Sequence, residues 1–279
     1  MKTFHSKIST KICFSLVLVF SFFAFANVNS QAESTGDSRT APQVGGGEYK
    51  LPANTECLTN EARNAIKIQL QTSINQLRAE GRLQEASSFL PPLFIFPVAG
   101  NPAVTNDYAY HGISNFVDQN PAFPNQLRDW NCGTRTYDSA NGYNHAGIDM
   151  FTFPFSFNKM DNNEVFAVAA ASGQIIFKSN GNPDRSCSLN GSNWNAVYVR
   201  HADGTVSWYG HLKNNSVTAK LIGDQVAQGE YLGVIGSSGN STGPHLHFEI
   251  YNAANQLQDP YQGTCNTMNV TGYWLNQPA

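Results

Sequence analysis

The fold prediction starts from Ser237–Tyr251, which has the sequence SSGNSTGPHLHFEIY. A turn-rich stretch that ends at Pro244 leads into alternating residues, a pattern typical of a loop that feeds a β-strand. Because successive side chains of a strand point to opposite faces, His245 and His247 should share one face and Leu246 the other. Two neighbouring imidazoles can bind one metal ion together, or one can bind the ion while the other transfers protons. Two half-buried histidines that only pack are the alternative.

A second pair of donors lies well upstream of the first. His145 and Asp149, within Asn144–Met150, supply one nitrogen and one oxygen. Their spacing of four suits a helix face or a strand face, and Gly147 between them argues against a helix. With one histidine of the later pair they would give three protein ligands. Zinc held by three protein ligands keeps its fourth position for water, as catalytic zinc sites do.

These motifs resemble the signature of the lysostaphin/LytM-type zinc endopeptidases, peptidase family M23. The pairs His145-x-x-x-Asp149 and His245-x-His247 carry the resemblance. Further similar stretches occur in the family's order at Asn195–Leu212, Gly223–Glu230 and Ser237–Ile250. Carried over residue by residue, the resemblance implies that His145, Asp149 and His247 bind one Zn²⁺ ion. It also implies that His211 and His245 are active-site histidines that do not bind the ion.

The resemblance implies hydrolysis of peptide bonds by a zinc-activated water molecule. The chain has no His-Glu-x-x-His motif, so the glutamate base of many metalloproteases is not expected here. We expect His245 or His211 to take the proton of the attacking water, and the other to stabilise the tetrahedral intermediate. Tyr137 and Tyr143 both lie shortly before His145. Spacing does not decide which of them, if either, assists the developing oxyanion.

The substrates that the resemblance implies are peptide crosslinks and stems of bacterial peptidoglycan, or other glycine-rich peptides. One alternative is a catalytically inactive LytM-like domain that binds and activates another cell-wall hydrolase. Such domains usually lack some of the zinc and histidine positions, whereas all five are present here. Another alternative is a β-domain that binds carbohydrate or peptide and whose histidines only pack. The small net charge of -3 argues against a nucleic-acid partner.

Strand-like segments separated by short turns predict a mainly β, antiparallel fold. We expect an M23-like (LytM-like) catalytic domain at 91–279, with its core at 144–251. The predicted strands are Val165–Ala170, Gln174–Lys178, Asn195–Arg200, Thr205–Gly210, Tyr231–Ile235 and Leu246–Tyr251. Strand parity places Glu249 on the face of His247, where we expect a supporting or solvent-facing role and not metal binding. We expect a monomer, although the sequence does not fix the oligomeric state.

A helical segment is predicted at 57–90, ahead of the catalytic domain. Thr59–Ser88 contains one apolar stripe with helical spacing, and Thr59 is a suitable N-cap. Gly81 should end the helix, with a short second piece over Leu83–Leu90. The stripe consists of Ala62, Ile66, Leu70, Ile74 and Leu77. This segment either packs on the catalytic domain or is a removable prosegment.

Residues 1–26 have the pattern of a secretory signal peptide. Three lysines precede the apolar run Ile12–Phe25, and Ala24-Phe25-Ala26 fits a cleavage site. The run is shorter than the roughly 20 residues that a spanning helix needs. We therefore expect a secreted, periplasmic or envelope protein without a transmembrane segment after signal removal.

Residues 27–56 are polar and predict a flexible linker or the start of a propeptide. The triglycine Gly45–Gly47 is either a plain part of this linker or a self-processing site. Four cysteines remain after signal removal, and in an exported chain they suggest two disulfides with three possible pairings. We expect Cys187 to pair with Cys265, and Cys57 with Cys132.

Overall fold

The computed structural model describes residues 56–88, 90–104, 109–189 and 193–278. The predicted signal peptide and Gly45–Gly47 lie outside these residues. All the described residues belong to one compact unit. Among them, no helix is both long enough and apolar enough to cross a bilayer.

Helix α1 spans Asn60–Ala79 and begins where the sequence predicts. The hydroxyl of Thr59 accepts a hydrogen bond from the backbone nitrogen of Ala62 at 3.1 Å, which caps the helix. Gly81 adopts a φ of 64°, a left-handed conformation that glycine adopts at low cost and that ends the helix. Residues 82–88 are not helical, so the predicted second helical piece is wrong.

The remainder of the chain consists mainly of short strands. In chain order these are β1 (Val98–Gly100), β2 (His111–Asn115), β3 (Ile148–Thr152), β4 (Val165–Val168), β5 (Gly173–Ser179), β6 (Ala196–Arg200), β7 (Val206–Gly210), β8 (Gln225–Val226), β9 (Tyr231–Val234), β10 (His245–Tyr251) and β11 (Leu257–Gln258). A short helix, α2 (Ser156–Asp161), follows β3. The six predicted strands correspond to β4, β5, β6, β7, β9 and β10, and the prediction of a mainly β fold is confirmed.

Two antiparallel sheets contain these strands. The larger has the order β2-β3-β10-β7-β6-β5-β8, with β11 paired to β10, and the smaller has the order β1-β4-β9. Strand β10 lies between β3 and β7, so that His247 is opposite Asp149 on one side and Gly210 on the other. This register brings donors from distant parts of the chain to the same place in the sheet.

The two faces of the large sheet are covered differently. Leu246, Phe248 and Ile250 of β10 point into the main core. The opposite face carries the aromatic side chains of Tyr198, Trp208 and Tyr251, and α1 packs against it through buried residues that include Leu70 and Leu77. Burial of each leucine stabilises this packing by roughly 1.5–3 kcal/mol. Helix α1 therefore covers the face onto which His247 and Glu249 project.

The structure contains a disulfide that differs from both predicted pairs. Cys132 is bonded to Cys265, with 5.2 Å between their Cα atoms. The two loops meet because the backbone nitrogen of Cys265 donates to the carbonyl of Trp130 at 3.0 Å. The predicted pairs Cys187–Cys265 and Cys57–Cys132 are wrong, since the sequence does not reveal which loops come together. Cys187 is exposed, whereas Cys57 is buried.

Candidate metal centre

The five side chains that the sequence singled out lie together in the structure. His145 precedes β3 and Asp149 lies within it, and β10 brings His247 beside the carboxylate. Asp149 Oδ2 is 3.1 Å from His145 Nε2, and Asp149 Oδ1 is 2.7 Å from His247 Nδ1. His145 and His247 have no exposed surface, and Asp149 is 5% exposed. These three donors form one buried group that could hold a metal ion.

The other two histidines lie beside this group. The rings of His211 and His245 have centroids 4.4 Å apart, and His245 Nε2 is 3.6 Å from Asp149 Oδ1. His211 directly follows β7 and adopts a φ of 61°, an uncommon conformation for a residue with a side chain. This turn directs its ring toward the cluster. Such backbone conformations are often found at functional sites.

Hydrogen bonds fix the protonation pattern of three of the histidines. Each has its Nδ1 within hydrogen-bond distance of a backbone carbonyl. The pairs are His145 with Phe116 at 2.8 Å, His211 with Ser238 at 2.6 Å, and His245 with Gly243 at 2.8 Å. Because a carbonyl oxygen can only accept, Nδ1 must carry the proton. In the neutral rings, Nε2 then presents a lone pair.

His247 has the opposite arrangement. Its Nε2 lies 2.8 Å from Oε1 of Glu249, while its Nδ1 faces Asp149. Burial raises the pKa of Glu249, but the charge of Arg63 and the hydrogen bond with His247 outweigh this effect and lower the pKa overall. Glu249 is therefore a carboxylate that accepts the proton of Nε2. Nδ1 then faces the Asp149 carboxylate at 2.7 Å, so a proton or a metal ion has to lie between these two atoms.

The donors fit a divalent cation. His145 Nε2 is buried without a hydrogen-bond partner, although the Asp149 carboxylate is only 3.1 Å away. Two groups that can only accept do not bind each other, so a cation has to lie between them, either a proton or a metal ion. Burial raises the pKa of Asp149, but the positive potential and hydrogen bonds of the surrounding histidines hold it well below its usual range. Imidazole and carboxylate are ordinary ligands of divalent transition metals.

A glycine permits the close approach of the two ligand segments. A Cβ atom at Gly147 would lie 2.6 Å from the His247 ring, closer than real contacts allow. Gly147 lies between His145 and Asp149, so the loop that carries both donors can pass directly against the ring. Gly147, which argued against a helix in the sequence, is thus also needed for the close packing of this loop against the His247 ring.

The two candidate tyrosines differ in their environment. The ring of Tyr137 stacks on that of His145, with centroids 4.4 Å apart, and Tyr137 is only partly buried. Tyr143 stacks on the other side of Tyr137 and has no exposed surface. Of the two, Tyr137 is therefore the one in direct contact with a candidate ligand.

Sequence reasoning missed one member of the cluster. Sγ of Cys57 lies 2.8 Å from Nε2 of His211 and 3.6 Å from Nδ1 of His247. Cys57 is two residues before the N-cap of α1, and no motif connects it with the histidines. Its placement follows from the docking of α1 on the sheet.

Comparison with known proteins confirms the resemblance that the motifs predicted. Residues 144–260 match the family described as Peptidase family M23. DD-carboxypeptidase/endopeptidase Mpg of Neisseria meningitidis is 42% identical over 81 residues, which are 29% of this chain and 16% of that protein. Peptidoglycan DD-endopeptidase ShyC of Vibrio cholerae is 41% identical over 63 residues, 23% of this chain and 14% of that protein.

A relative with a different named specificity is also similar. Glycyl-glycine endopeptidase ALE-1 of Staphylococcus capitis is 32% identical over 124 residues, 43% of this chain and 29% of that protein. The chain thus spans less than a third of the length of each of these three relatives.

Proposed function

Because residues 144–260 match peptidase family M23, we propose that this protein is an exported zinc endopeptidase that hydrolyses peptide bonds in peptidoglycan crosslinks or stems. The main support is the convergence of three donor atoms on one buried point. They are Nε2 of His145, Nδ1 of His247 and the carboxylate of Asp149. We assign these three residues as the zinc ligands.

A zinc ion held by these ligands would polarise a peptide carbonyl as a Lewis acid and lower the pKa of a bound water molecule to about 7. His211 and His245 supply the proton transfers. Their Nδ1 atoms are held by backbone carbonyls, so each ring presents Nε2 to the cluster in a fixed orientation. One Nε2 accepts the proton of the attacking water, and the other, when its ring is protonated, donates a proton to the departing amine. A positioned base or acid of this kind typically contributes 10²–10⁴-fold to the rate.

The remaining polar groups near the ligands have positioning roles in this proposal. Glu249 holds the His247 ring through Nε2, and Phe116 holds the His145 ring through its carbonyl. Such partners fix the tautomer and orientation of a metal-bound imidazole. Tyr137, stacked on His145, is our candidate for a hydrogen bond to the developing oxyanion.

The named activities of the relatives support the substrate class. ShyC is a peptidoglycan DD-endopeptidase, and ALE-1 cleaves glycyl-glycine bonds, as their names state. We therefore propose peptidoglycan peptides, including glycine-rich crosslinks, as the substrates. Action in the cell envelope or outside the cell agrees with the signal peptide that the sequence predicts. An inactive domain that activates another hydrolase is less well supported, because all five site residues lie together here.

Metal analysis combined with a cleavage assay tests this function. The purified protein, intact and after limited proteolysis, is assayed for zinc and for cleavage of peptidoglycan and pentaglycine, with and without a chelator. We expect about one zinc per chain and cleavage that the chelator abolishes. His145→Ala should lose both zinc and cleavage, whereas His211→Ala should keep zinc and lose cleavage. Zinc-loaded, proteolysed protein that cuts neither substrate would favour the inactive alternative.

A further inference from the structure

Cys57 is the one nucleophilic side chain in the histidine cluster to which the proposed reaction gives no role. Donor atoms of Cys57, His211, His245 and His247 all lie within 4.8 Å of one another. Cys57 itself is 8% exposed. A buried thiol surrounded by three imidazoles is a common composition for a transition-metal site, because thiolate and imidazole both bind zinc well.

We propose that Cys57 is a thiolate ligand of the metal ion that His247 binds, and that the segment 56–79 keeps the peptidase inactive until it is displaced. This inference rests on the proposed zinc site. His247 belongs to both groups of donors, the one with His145 and Asp149 and the one with Cys57. Its Nδ1 lies 2.7 Å from Asp149 Oδ1 and faces Cys57 Sγ as well. Since Nδ1 has a single lone pair, one ion must serve both groups.

The distance between the sulfur and this nitrogen agrees with a shared ion. Sγ of Cys57 is 3.6 Å from Nδ1 of His247. With Zn–S near 2.3 Å and Zn–N near 2.0–2.1 Å, two ligands of a tetrahedral zinc ion are separated by about 3.5 Å. The shorter distance from Sγ to His211 Nε2, 2.8 Å, fits a hydrogen bond. His211 can therefore receive the thiol proton when the thiolate forms.

An independent set of contacts holds Cys57 in this position. Arg63, in the first turn of α1, donates to both carboxylate oxygens of Glu249 at 2.9 and 3.3 Å, and the ion pair is buried. The same guanidinium donates to the carbonyl of Leu58 at 3.3 Å, directly after Cys57. On the other side of Cys57, the side chain of Asn240 donates to the carbonyl of Glu56 at 3.1 Å. The backbone is thus fixed on both sides of the thiol.

The docked segment closes the site to a polypeptide substrate. His145, His211 and His247 have no exposed surface, and Cys57 lies against His211 and His247. Behind them, α1 packs along the face of the sheet that carries His247, through Leu70, Leu77 and their neighbours. A peptide carbonyl cannot reach the ligands unless this segment moves.

The segment is arranged so that it can be removed. The Cys132–Cys265 disulfide does not link α1 to the sheet, so non-covalent contacts, the proposed metal bond and the chain itself hold it. Residues 80–87, which connect α1 to the following segment, are mostly exposed. Cleavage of the chain there would let α1 leave with its thiol and open the cluster to substrate.

Cobalt substitution tests the metal ligand directly and does not depend on activity. Co²⁺ is exchanged into the purified full chain, into Cys57→Ser and into Cys187→Ser, a matched control at an exposed cysteine. We expect a thiolate-to-cobalt charge-transfer band in the near ultraviolet for the unmodified protein and the control, and its loss in Cys57→Ser. X-ray absorption of the zinc form of the unmodified protein should show a sulfur at about 2.3 Å. Cys57→Ser should cleave peptidoglycan several-fold faster, and limited proteolysis should raise the unmodified protein to the same rate.

The outcomes separate this inference from the proposed function. A cobalt protein without the charge-transfer band, together with zinc absorption that shows only nitrogen and oxygen neighbours, would overturn the inference and leave the zinc site intact. Equal cleavage rates for the unmodified protein and Cys57→Ser would overturn the inactivation. A protein that takes up no metal in any variant would overturn both proposals. If Cys57→Ser does not fold, X-ray absorption of the unmodified protein decides whether the zinc ion has a sulfur ligand.

Discussion

His247 and Glu249, two residues apart on β10, are joined by a hydrogen bond of 2.8 Å between Nε2 and Oε1. Glu249 also accepts from the hydroxyl of Tyr251 at 2.6 Å and pairs with Arg63 of α1. One buried carboxylate therefore orients a proposed metal ligand and anchors the helix that covers it. The position of α1 and the geometry of the metal site are coupled through this side chain.

Glu249→Gln should weaken metal binding. An amide can accept from only one of its two terminal atoms, so the contacts with His247, Arg63 and Tyr251 cannot all be kept. Loss of a partner that orients a metal-bound histidine typically costs 10–100-fold in affinity, and we expect a loss of that order. Zinc affinity is measured by competition with a chromophoric chelator.

The matched control is Glu85→Gln, since Glu85 forms an exposed ion pair with Arg78. Its zinc affinity should equal that of the unmodified protein. An unchanged affinity in Glu249→Gln would show that His247 is held by its packing alone.

Arg63→Met should loosen α1. The substitution leaves Glu249 buried without its main cationic partner, and removal of one member of a buried ion pair typically costs 3–5 kcal/mol. We expect faster amide hydrogen exchange throughout α1 and faster proteolysis of the segment 80–87. Arg78→Met is the control, because its ion pair with Glu85 is exposed and contributes little to stability. Equal exchange rates in the two variants would contradict the anchoring role of Arg63.

The sequence indicated which side chains come together, but not which segment covers them. The spacing of His145, Asp149 and His247 is a local pattern, and strand alternation places His247 and Glu249 on one face without any knowledge of the tertiary structure. Strand β3 was not predicted, because the Asn/Gly-rich residues before it resemble a loop. Cys57 could not be placed, since its contacts depend on how α1 docks on strands more than a hundred residues away.

The pairing of the cysteines shows the same limit. Composition indicates disulfides but does not tell which loops meet. Cys132 lies opposite Cys265 because the rings of Trp130 and Tyr261, which belong to the two loops, stack with centroids 4.8 Å apart. Six of the eight strands after Glu164 were predictable from local alternation, whereas the two-residue strands β8 and β11 were not. Contacts between loops are fixed only by the whole fold.

Removal of the Cys132–Cys265 disulfide should destabilise the domain. The bond closes a loop with a sequence separation of 133, and the chain-entropy relation gives about 5 kcal/mol for a loop of this length. We expect Cys132→Ser/Cys265→Ser to unfold at a clearly lower denaturant concentration, and reductant to reproduce the effect in the unmodified protein. Cys187→Ser provides the control. Stability that is insensitive to both changes would show that the bond does not form in the purified protein.

A buried carboxyl far from the metal ligands in sequence should make stability depend on pH. Burial raises the pKa of Asp259 to about 7, even though the backbone nitrogen of Tyr261 and the side chain of Gln119 donate to it. In the unfolded chain its pKa is near 3.9. Between these two values the folded state holds a proton that the unfolded state has released. The free energy of unfolding must therefore fall as the pH rises from about 4 to 7, by up to about 4 kcal/mol for this residue.

Asp259→Asn removes this titration, so the free energy of unfolding should fall less steeply as the pH rises. Asp118, whose pKa burial raises to about 6, acts in the same direction, but it is present in both proteins. The difference between the two unfolding free energies, measured by chemical denaturation at several pH values, therefore isolates Asp259. Relative to the unmodified protein, the variant should gain stability steadily as the pH rises through this range. Parallel pH profiles would mean that Asp259 is already ionised in the folded protein, with the hydrogen bonds from Tyr261 and Gln119 outweighing its burial.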